Sequence, residues 1–310
     1  PPAPTVTPYP TLTATALPSD TPQATQPDST PAESQEPTQP PATSTSTPVP
    51  PLRFAVIGDY GIGSQGEADV AGLVKSLEPE FIITTGDNNY PSGSAKTIDG
   101  NIGQYYHDFI FPYIGEYGEG ADINRFFPSL GNHDWNTPEA QPYLDYFTLP
   151  GNERYYDFTW GPVHLFAIDS DSREPDGVGR SSVQAGWLQE RLAASTSPWQ
   201  IVYMHHPAYS SGPHGSIDWM QWPFKEWGAD AVLAGHDHVY ERILLDGQLY
   251  LTSGLGGARI YSFPSPVPGS QVRYNDDYGA LLLEATPERL LFQFINLAGE
   301  VVDSYSLAAP

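Results

Sequence analysis

The chain has 310 residues, 33 prolines, 29 glycines and no cysteine, and 13 Lys and Arg against 37 Asp and Glu give a formal net charge of −24. A surface this acidic repels polyanions, which excludes charge-driven binding of nucleic acid or of an anionic membrane and requires a local positive centre for any phosphate-bearing ligand. Without cysteine there is no disulfide, thiolate metal site or thiol nucleophile, so His, Asp, Glu, Asn and Tyr are left for metal chemistry. No apolar run reaches the roughly 18 residues that a membrane-spanning helix needs.

Residues 1–51 hold 15 of the prolines, abundant Thr and Ser, four acids (Asp20, Asp28, Glu33, Glu36) and neither Lys nor Arg. Such a stretch buries too little apolar surface to offset the entropy of ordering it, and its prolines keep it extended. It is expected to be a disordered stalk or linker of the kind that carries a domain away from a cell surface. The chain starts at Pro1, which fits a secretion signal or lipid anchor removed upstream as well as a fragment boundary. Extracellular or cell-surface placement is therefore an expectation drawn from the stalk.

Residues 52–310 are long enough for one large domain with its own core. Short apolar runs rich in β-branched and aromatic residues predict strands over Leu52–Ile57, Phe81–Thr85, Phe126–Leu130, Val163–Ile168, Trp199–Tyr203, Ala231–Leu233 and Leu249–Thr252. Helical spacing of apolar residues marks Glu67–Leu77 and Ser182–Ala194, the latter with Trp187, Leu188 and Leu192 on one face. Three further strands, Ala280–Glu284, Leu290–Asn296 and Val301–Leu307, follow with short polar turns between them. The expected fold is a layered α/β domain finished by antiparallel strands.

Five of the predicted strands are followed by unusual polar clusters: Gly58-Asp59-Tyr60-Gly61, Gly86-Asp87-Asn88-Asn89-Tyr90, Gly131-Asn132-His133-Asp134, Met204-His205-His206-Pro207 and Gly235-His236-Asp237-His238. Singly, each reads as a polar turn, a helix cap or a satisfied core histidine. Together they place two carboxylates, an amide, a phenol and three imidazoles at one mouth of a sheet, a donor set suited to iron, manganese or zinc. The glycine before each polar residue is expected to permit the reversal that points the side chain over the strand edge. The i, i+2 spacing of His236 and His238 puts both imidazoles on one side of an extended backbone, so that each of two neighbouring metals receives one.

In this order the five clusters resemble the calcineurin-like metallophosphoesterases, and Asp87 followed three residues later by Tyr90 resembles the purple acid phosphatase branch of that family. The resemblance covers the chain from about Leu52 onward and implies an α/β/β/α sandwich with a metal site at the C-terminal ends of its strands. Carried over by position, it implies that Asp59, Tyr90 and His238 bind a ferric ion. Asn132, His205 and His236 would bind a second, divalent ion (iron, zinc or manganese), and Asp87 would bridge the two. His206 competes with His205 at the fourth cluster; the family's ligand is the first residue of the His-x-Pro step, which favours His205. His133 and His214, the latter in Gly212-Pro213-His214-Gly215, are implied to contact the substrate phosphate and assist the leaving group. Asp134 and Asp237 are expected to orient ligand histidines, Asp169 and Asp171 to be turn residues near the site, and Glu241 and Arg242 to be structural. His107 and His164 receive no role.

The implied reaction is hydrolysis of small phosphate monoesters by attack of a metal-bound hydroxide, the metal pair supplying the positive pocket that the acidic surface lacks. A phosphodiesterase with the same dinuclear site is the alternative, because the loops Ser92–Asn124 and Pro207–Trp219, not the five clusters, would set that preference. A stalked surface binding protein with a relict site is a remote third reading. A tyrosine–iron(III) bond also implies a visible charge-transfer band.

Overall fold

The computed structural model describes residues 50–309, so the expected stalk lies outside the described residues apart from Pro50 and Pro51. The strands in chain order are β1 (Leu52–Ile57), β2 (Phe81–Thr84), β3 (Phe126–Pro128), β4 (Tyr156–Trp160), β5 (Val163–Ala167), β6 (Trp199–Tyr203) and β7 (Ala231–Ala234). They continue with β8 (Tyr240–Leu245), β9 (Gln248–Ser253), β10 (Ser270–Tyr274), β11 (Gly279–Ala285), β12 (Arg289–Asn296) and β13 (Val301–Ala308). One sheet runs β13-β12-β11-β1-β2-β3 and the other β10-β8-β9-β7-β6-β5-β4.

Within each sheet the central strands are parallel: β1, β2 and β3 in the first, and β5, β6, β7 and β9 in the second. Parallel strands covered on both faces read as continuous apolar runs, which is why Phe81-Ile82-Ile83-Thr84 and Ala231-Val232-Leu233-Ala234 are buried throughout. In the second sheet the pleat then sorts the side chains. Leu165, Ile201, Tyr203 and Leu233 join the core between the sheets. Phe166, Val202, Met204 and Val232 face the other way, into a second core with Ala185, Leu188 and Leu192 of the helix Val183–Ala194.

That helix starts where the Ser182 hydroxyl accepts from the Ala185 amide at 3.1 Å. Trp187 sits at the edge of its buried face against Tyr155, with ring centroids 5.0 Å apart. The helix Gln65–Ser76, capped in the same way by Ser64, packs against β11 and covers the first sheet with Val70 and Val74. The result is the layered α/β/β/α arrangement.

The antiparallel finish also holds, and β11 does more than close it. It pairs with β1 from Leu52↔Ala285 to Val56↔Leu281, placing the chain's C-terminal strands on the edge of the sheet that carries the first site residues. Strands β4, β8 and β10 are additional to those expected from sequence. Among the described residues no helix is long and apolar enough to cross a membrane.

Candidate metal centre

The five polar clusters sit just past β1, β2 and β3 of one sheet and β6 and β7 of the other, so both sheets contribute to one site. At three of these positions the functional residue itself takes a left-handed backbone: Asp59 at φ 55°, Asp87 at φ 53° and His236 at φ 70°. Such conformations cost on the order of 1–3 kcal/mol each outside glycine and persist only where the surroundings fix them. The reversal expected of the preceding glycines is therefore made by the ligand candidate itself at Asp59 and His236, and by Gly86 (φ 85°) together with Asp87 at the second cluster. Gly235 is needed for a different reason: a Cβ there would stand 2.6 Å from Asp59 Oδ2.

Two groups of donors result. In the first, Tyr90 Oη lies 3.3 Å from Asp59 Oδ1 and 3.2 Å from His238 Nε2, and His238 Nε2 lies 3.4 Å from Asp59 Oδ1. In the second, His205 Nε2 lies 3.0 Å from Asn132 Oδ1 and 3.2 Å from His236 Nδ1. Asp87 Oδ2 stands between them, 2.9 Å from Tyr90 Oη and 3.4 Å from His205 Nε2. All seven ligand candidates read from the sequence thus meet at one place. His236 and His238 separate because the backbone turns at His236, so the extended stretch expected there is replaced by a bend that sends one imidazole to each group.

Outer hydrogen bonds decide which atoms face inward. The Thr85 carbonyl accepts from His205 Nδ1 at 2.9 Å and the Arg259 carbonyl from His238 Nδ1 at 2.7 Å, so that Nε2 is the atom of each ring that faces the site and, once the ring is neutral, holds its lone pair there. The His236 amide donates to Asp59 Oδ2 and the His133 amide to Asp87 Oδ1, both at 2.8 Å, leaving the other oxygen of each carboxylate inward.

The donor set fits cations. His205 Nε2, His236 Nδ1 and Asn132 Oδ1 are acceptors in their metal-binding forms, and they crowd within hydrogen-bond distance with too few protons to share. The buried anions also call for positive charge. Burial disfavours the charged form of His205, but Asp87 and then Asp59 outweigh it and push the imidazole up to about 10. Burial likewise works against the Asp87 carboxylate, yet His205 and His133 hold it well below the usual carboxylate range. Burial, with Asp59 and Asp87 beside it, raises the Tyr90 phenol far above its usual value, so a strong cation is needed to ionise it.

The remaining sequence candidates surround this centre. His133 packs its ring on Tyr90, with centroids 4.3 Å apart, holds the Pro91 carbonyl through Nδ1 at 2.6 Å and places Nε2 3.9 Å from Asp87 Oδ2. His214 is exposed, with its ring 4.3 Å from that of His236. His206 lies close enough to His205 and His236 to form a further donor group with them; its Nδ1 is tied to Ser170 Oγ at 2.9 Å, and burial with His205 alongside lowers it to about 3 and keeps the ring neutral.

Asp134 and Asp237 hold loops and not the ligand histidines expected of them. Asp134 Oδ2 accepts from the Gly131 amide and the Asn88 side chain, locking the third cluster to the second. Asp237 Oδ1 accepts from the His214 amide at 3.0 Å. Glu241 accepts from the Ser211 amide and Arg242 pairs with Asp303 at 2.7 Å, the structural parts expected of them. His107 and His164 are engaged by Gly103 and Asp157, away from the site.

Sequence reasoning missed Tyr261, which stacks on His238 at 4.1 Å between ring centroids. It also missed Arg173, whose guanidinium is gripped by Asp171 and donates to the carbonyls of Asn132 and Trp135. The only signal for Tyr261 is the Gly254-Leu255-Gly256-Gly257 run after β9, which lets the following loop lie against the site.

The chain belongs to the calcineurin-like phosphoesterase family, whose model matches residues 52–240. Within that family its relatives are purple acid phosphatases. Tartrate-resistant acid phosphatase type 5 of Mus musculus is 23% identical, over 84% of this chain and 92% of the relative. Among solved structures, a purple acid phosphatase from yellow lupin (Lupinus luteus) seeds superposes with a TM-score of 0.67 at 19% identity, covering 83% of this chain and 54% of that one. GAP50, the anchor in the inner membrane complex of Plasmodium, gives 0.66 at 20% identity, over 84% of this chain and 90% of that one.

Proposed function

We propose that residues 52–310 form a metal-dependent phosphoric monoester hydrolase, with Asp59, Tyr90 and His238 holding a ferric ion, Asn132, His205 and His236 holding iron(II), zinc or manganese, and Asp87 shared by both. The observation that carries this reading is the position of Asp87 Oδ2, within 3.4 Å of a donor from each group. Bound there, the two cations would supply charge neutralisation for the phosphoryl oxygens and acidify a water.

The chain's own residues do the rest. The left-handed turns at Asp59, Asp87 and His236 fix the donors before substrate arrives, so little reorganisation accompanies the reaction. His133 commits Nδ1 to the Pro91 carbonyl, which leaves Nε2 as the atom that carries a mobile proton to the leaving oxygen. His214, exposed beside His236, would place a second imidazole on the same side of the phosphate. Residues 1–51 would serve as a stalk and place the enzyme outside the cell. The full complement of donors weighs against a relict site.

The test is hydrolysis of an aryl monophosphate and of its bis-aryl diester across about pH 4 to 9, with metal analysis of the same sample. Two metals per chain and a monoester rate at least about tenfold above the diester rate are expected; diester preference would keep the site and change the reaction. A separate expectation concerns colour. Tyr90→Phe should bleach the visible band of the iron-loaded protein, whereas an unchanged spectrum would remove Tyr90 from the metal.

A further inference from the structure

The two sheets end in four edge strands, β13 and β3 on one and β10 and β4 on the other. The outward amides and carbonyls of an edge can pair with another chain unless something blunts them. Three of these edges are short and interrupted. β3 has three residues and ends in Pro128. β10 has five residues, a register shift between Ser270 and Val272, and the cation of Arg273. β4 has five residues and carries the charged pair of Asp157 with Arg191. β13 differs: its eight residues, Val-Val-Asp-Ser-Tyr-Ser-Leu-Ala, include no proline, lysine or arginine. Its one charge, Asp303, is buried and neutralised by Arg242 at 2.7 Å. On a chain of net charge −24, this is an edge at which two copies can meet without opposing free charges.

Hydrogen bonding shows which atoms of β13 face outward. The Ala309 amide donates to the Glu288 carbonyl at 3.0 Å, and alternation along an antiparallel ladder turns Leu307, Tyr305 and Asp303 toward β12 as well. The amides and carbonyls of Ser304, Ser306 and Ala308 therefore point out of the sheet, and among the described residues no strand meets them. The irregularity of this strand lies at Val302, so the run from Asp303 to Ala308 is regular. Tyr305 and Leu307 pack on the core, whereas Ser304, Ser306 and Ala308 are exposed and small, presenting neither bulk nor charge to a neighbour.

We propose that β13 pairs antiparallel with β13 of a second copy of this chain, about a two-fold axis at Tyr305, joining two six-stranded sheets into one. Antiparallel pairing of a strand with itself is two-fold by construction, so the contact closes at a dimer. The outward atoms set the register: Ser304 exchanges both hydrogen bonds with the partner's Ser306, and Ser306 with the partner's Ser304. Tyr305 then stands directly opposite the partner's Tyr305 at a position without inter-strand hydrogen bonds, where side chains approach most closely and an aromatic pair adds to the ladder. Arg242, 4.7 Å above the Tyr305 ring, holds that ring in place. β13 lies three strands from β1, which carries the first site residues, so the association is independent of the phosphatase reading.

The experiment is sedimentation of the full chain, which should be a dimer at on the order of 10–100 µM, the affinity range of a small interface. Three variants read the contact. Ser304→Glu/Ser306→Glu sets like charges opposite each other twice and should raise the dimer Kd about tenfold. Ser304→Lys/Ser306→Glu puts opposite charges in the same places and should return the Kd to within about threefold of wild type. Ser306→Pro removes an outward amide without adding charge and leaves the ladder to β12 intact, and it should dissociate the dimer. Both double substitutions fall at exposed positions, and thermal unfolding of each variant verifies that the monomer is folded. A wild type that stays monomeric at about 100 µM would overturn the proposal. So would a dimer that neither the double-glutamate variant nor Ser306→Pro weakens. Dissociation by the glutamates without recovery in the Lys/Glu variant would overturn the register about Tyr305.

Discussion

Asp87→Asn should lower kcat/KM on an aryl monophosphate by on the order of 10³-fold or more, about 4 kcal/mol of transition-state stabilisation, and leave the protein short of metal. The reasoning starts from the two oxygens of Asp87. Oδ1 accepts from the His133 amide, a bond the asparagine oxygen reproduces, so the loop that carries Asn132 and His133 keeps its anchor. Oδ2 is the atom that stands between Tyr90 and His205, and in the variant an amide NH₂ occupies that place and meets cations with the wrong polarity. The substitution also removes the first of the two carboxylates that hold the His205 imidazolium, so its raised pKa should drop. Elemental analysis gives metal per chain, and an NMR titration of the metal-free His205 gives the change in proton affinity. Full metal content with activity within tenfold of wild type would show that Asp87 is not shared between two cations.

The seven donors were legible because a parallel sheet exposes functional side chains at one edge, so polar residues after apolar runs stand out even in a single sequence. Strands β4, β8 and β10 of the second sheet were not. In β8, Tyr240-Glu241-Arg242-Ile243 looks charged and loop-like, yet Glu241 is fully buried and Arg242 nearly so, because Ser211 and Asp303 satisfy them. Burial of paired charges cannot be seen without the partner. β10, Ser270–Tyr274, alternates half-buried and exposed positions at the sheet edge and lacks an apolar run to mark it. The atoms that orient the site were hidden for a related reason. The carbonyls of Thr85 and Arg259 fix two histidines, and a backbone oxygen leaves no trace in residue type. Tyr261 and Arg259 reach the centre only through the path of the loop after β9, more than 20 residues beyond His238 in sequence, and their contribution is purely spatial.

Glu67→Gln should reverse part of the pH dependence of stability. Glu67 is fully buried in the first turn of the helix Gln65–Ser76, where its Oε2 accepts from the amides of Ile62 at 3.0 Å and Gly63 at 2.6 Å. The loop it ties follows Asp59, and the Gly61 carbonyl of that loop accepts from the Tyr90 amide at 2.6 Å. Those amides favour the carboxylate, but burial prevails and raises the carboxyl to about 9; Oε1 and the nearby Tyr106 hydroxyl have no hydrogen-bond partner. A folded value above the unfolded one means that the native state keeps its proton longer. Below about pH 4.5 both states are protonated and the group contributes no slope; from there to about 9 the unfolded chain binds fewer protons and stability falls as pH rises. At roughly 1.4 kcal/mol per unit, the step from about pH 5 to 8 costs the wild type on the order of 4 kcal/mol through this group. Glutamine keeps the accepting oxygen, does not titrate and escapes that loss. Urea unfolding of both proteins at the two pH values isolates the difference, since metal release and every other titration are common to them. The variant should gain on the wild type by about that amount as pH rises, and parallel profiles would mean that Glu67 is ionised in the fold and that the amides of Ile62 and Gly63 outweigh its burial.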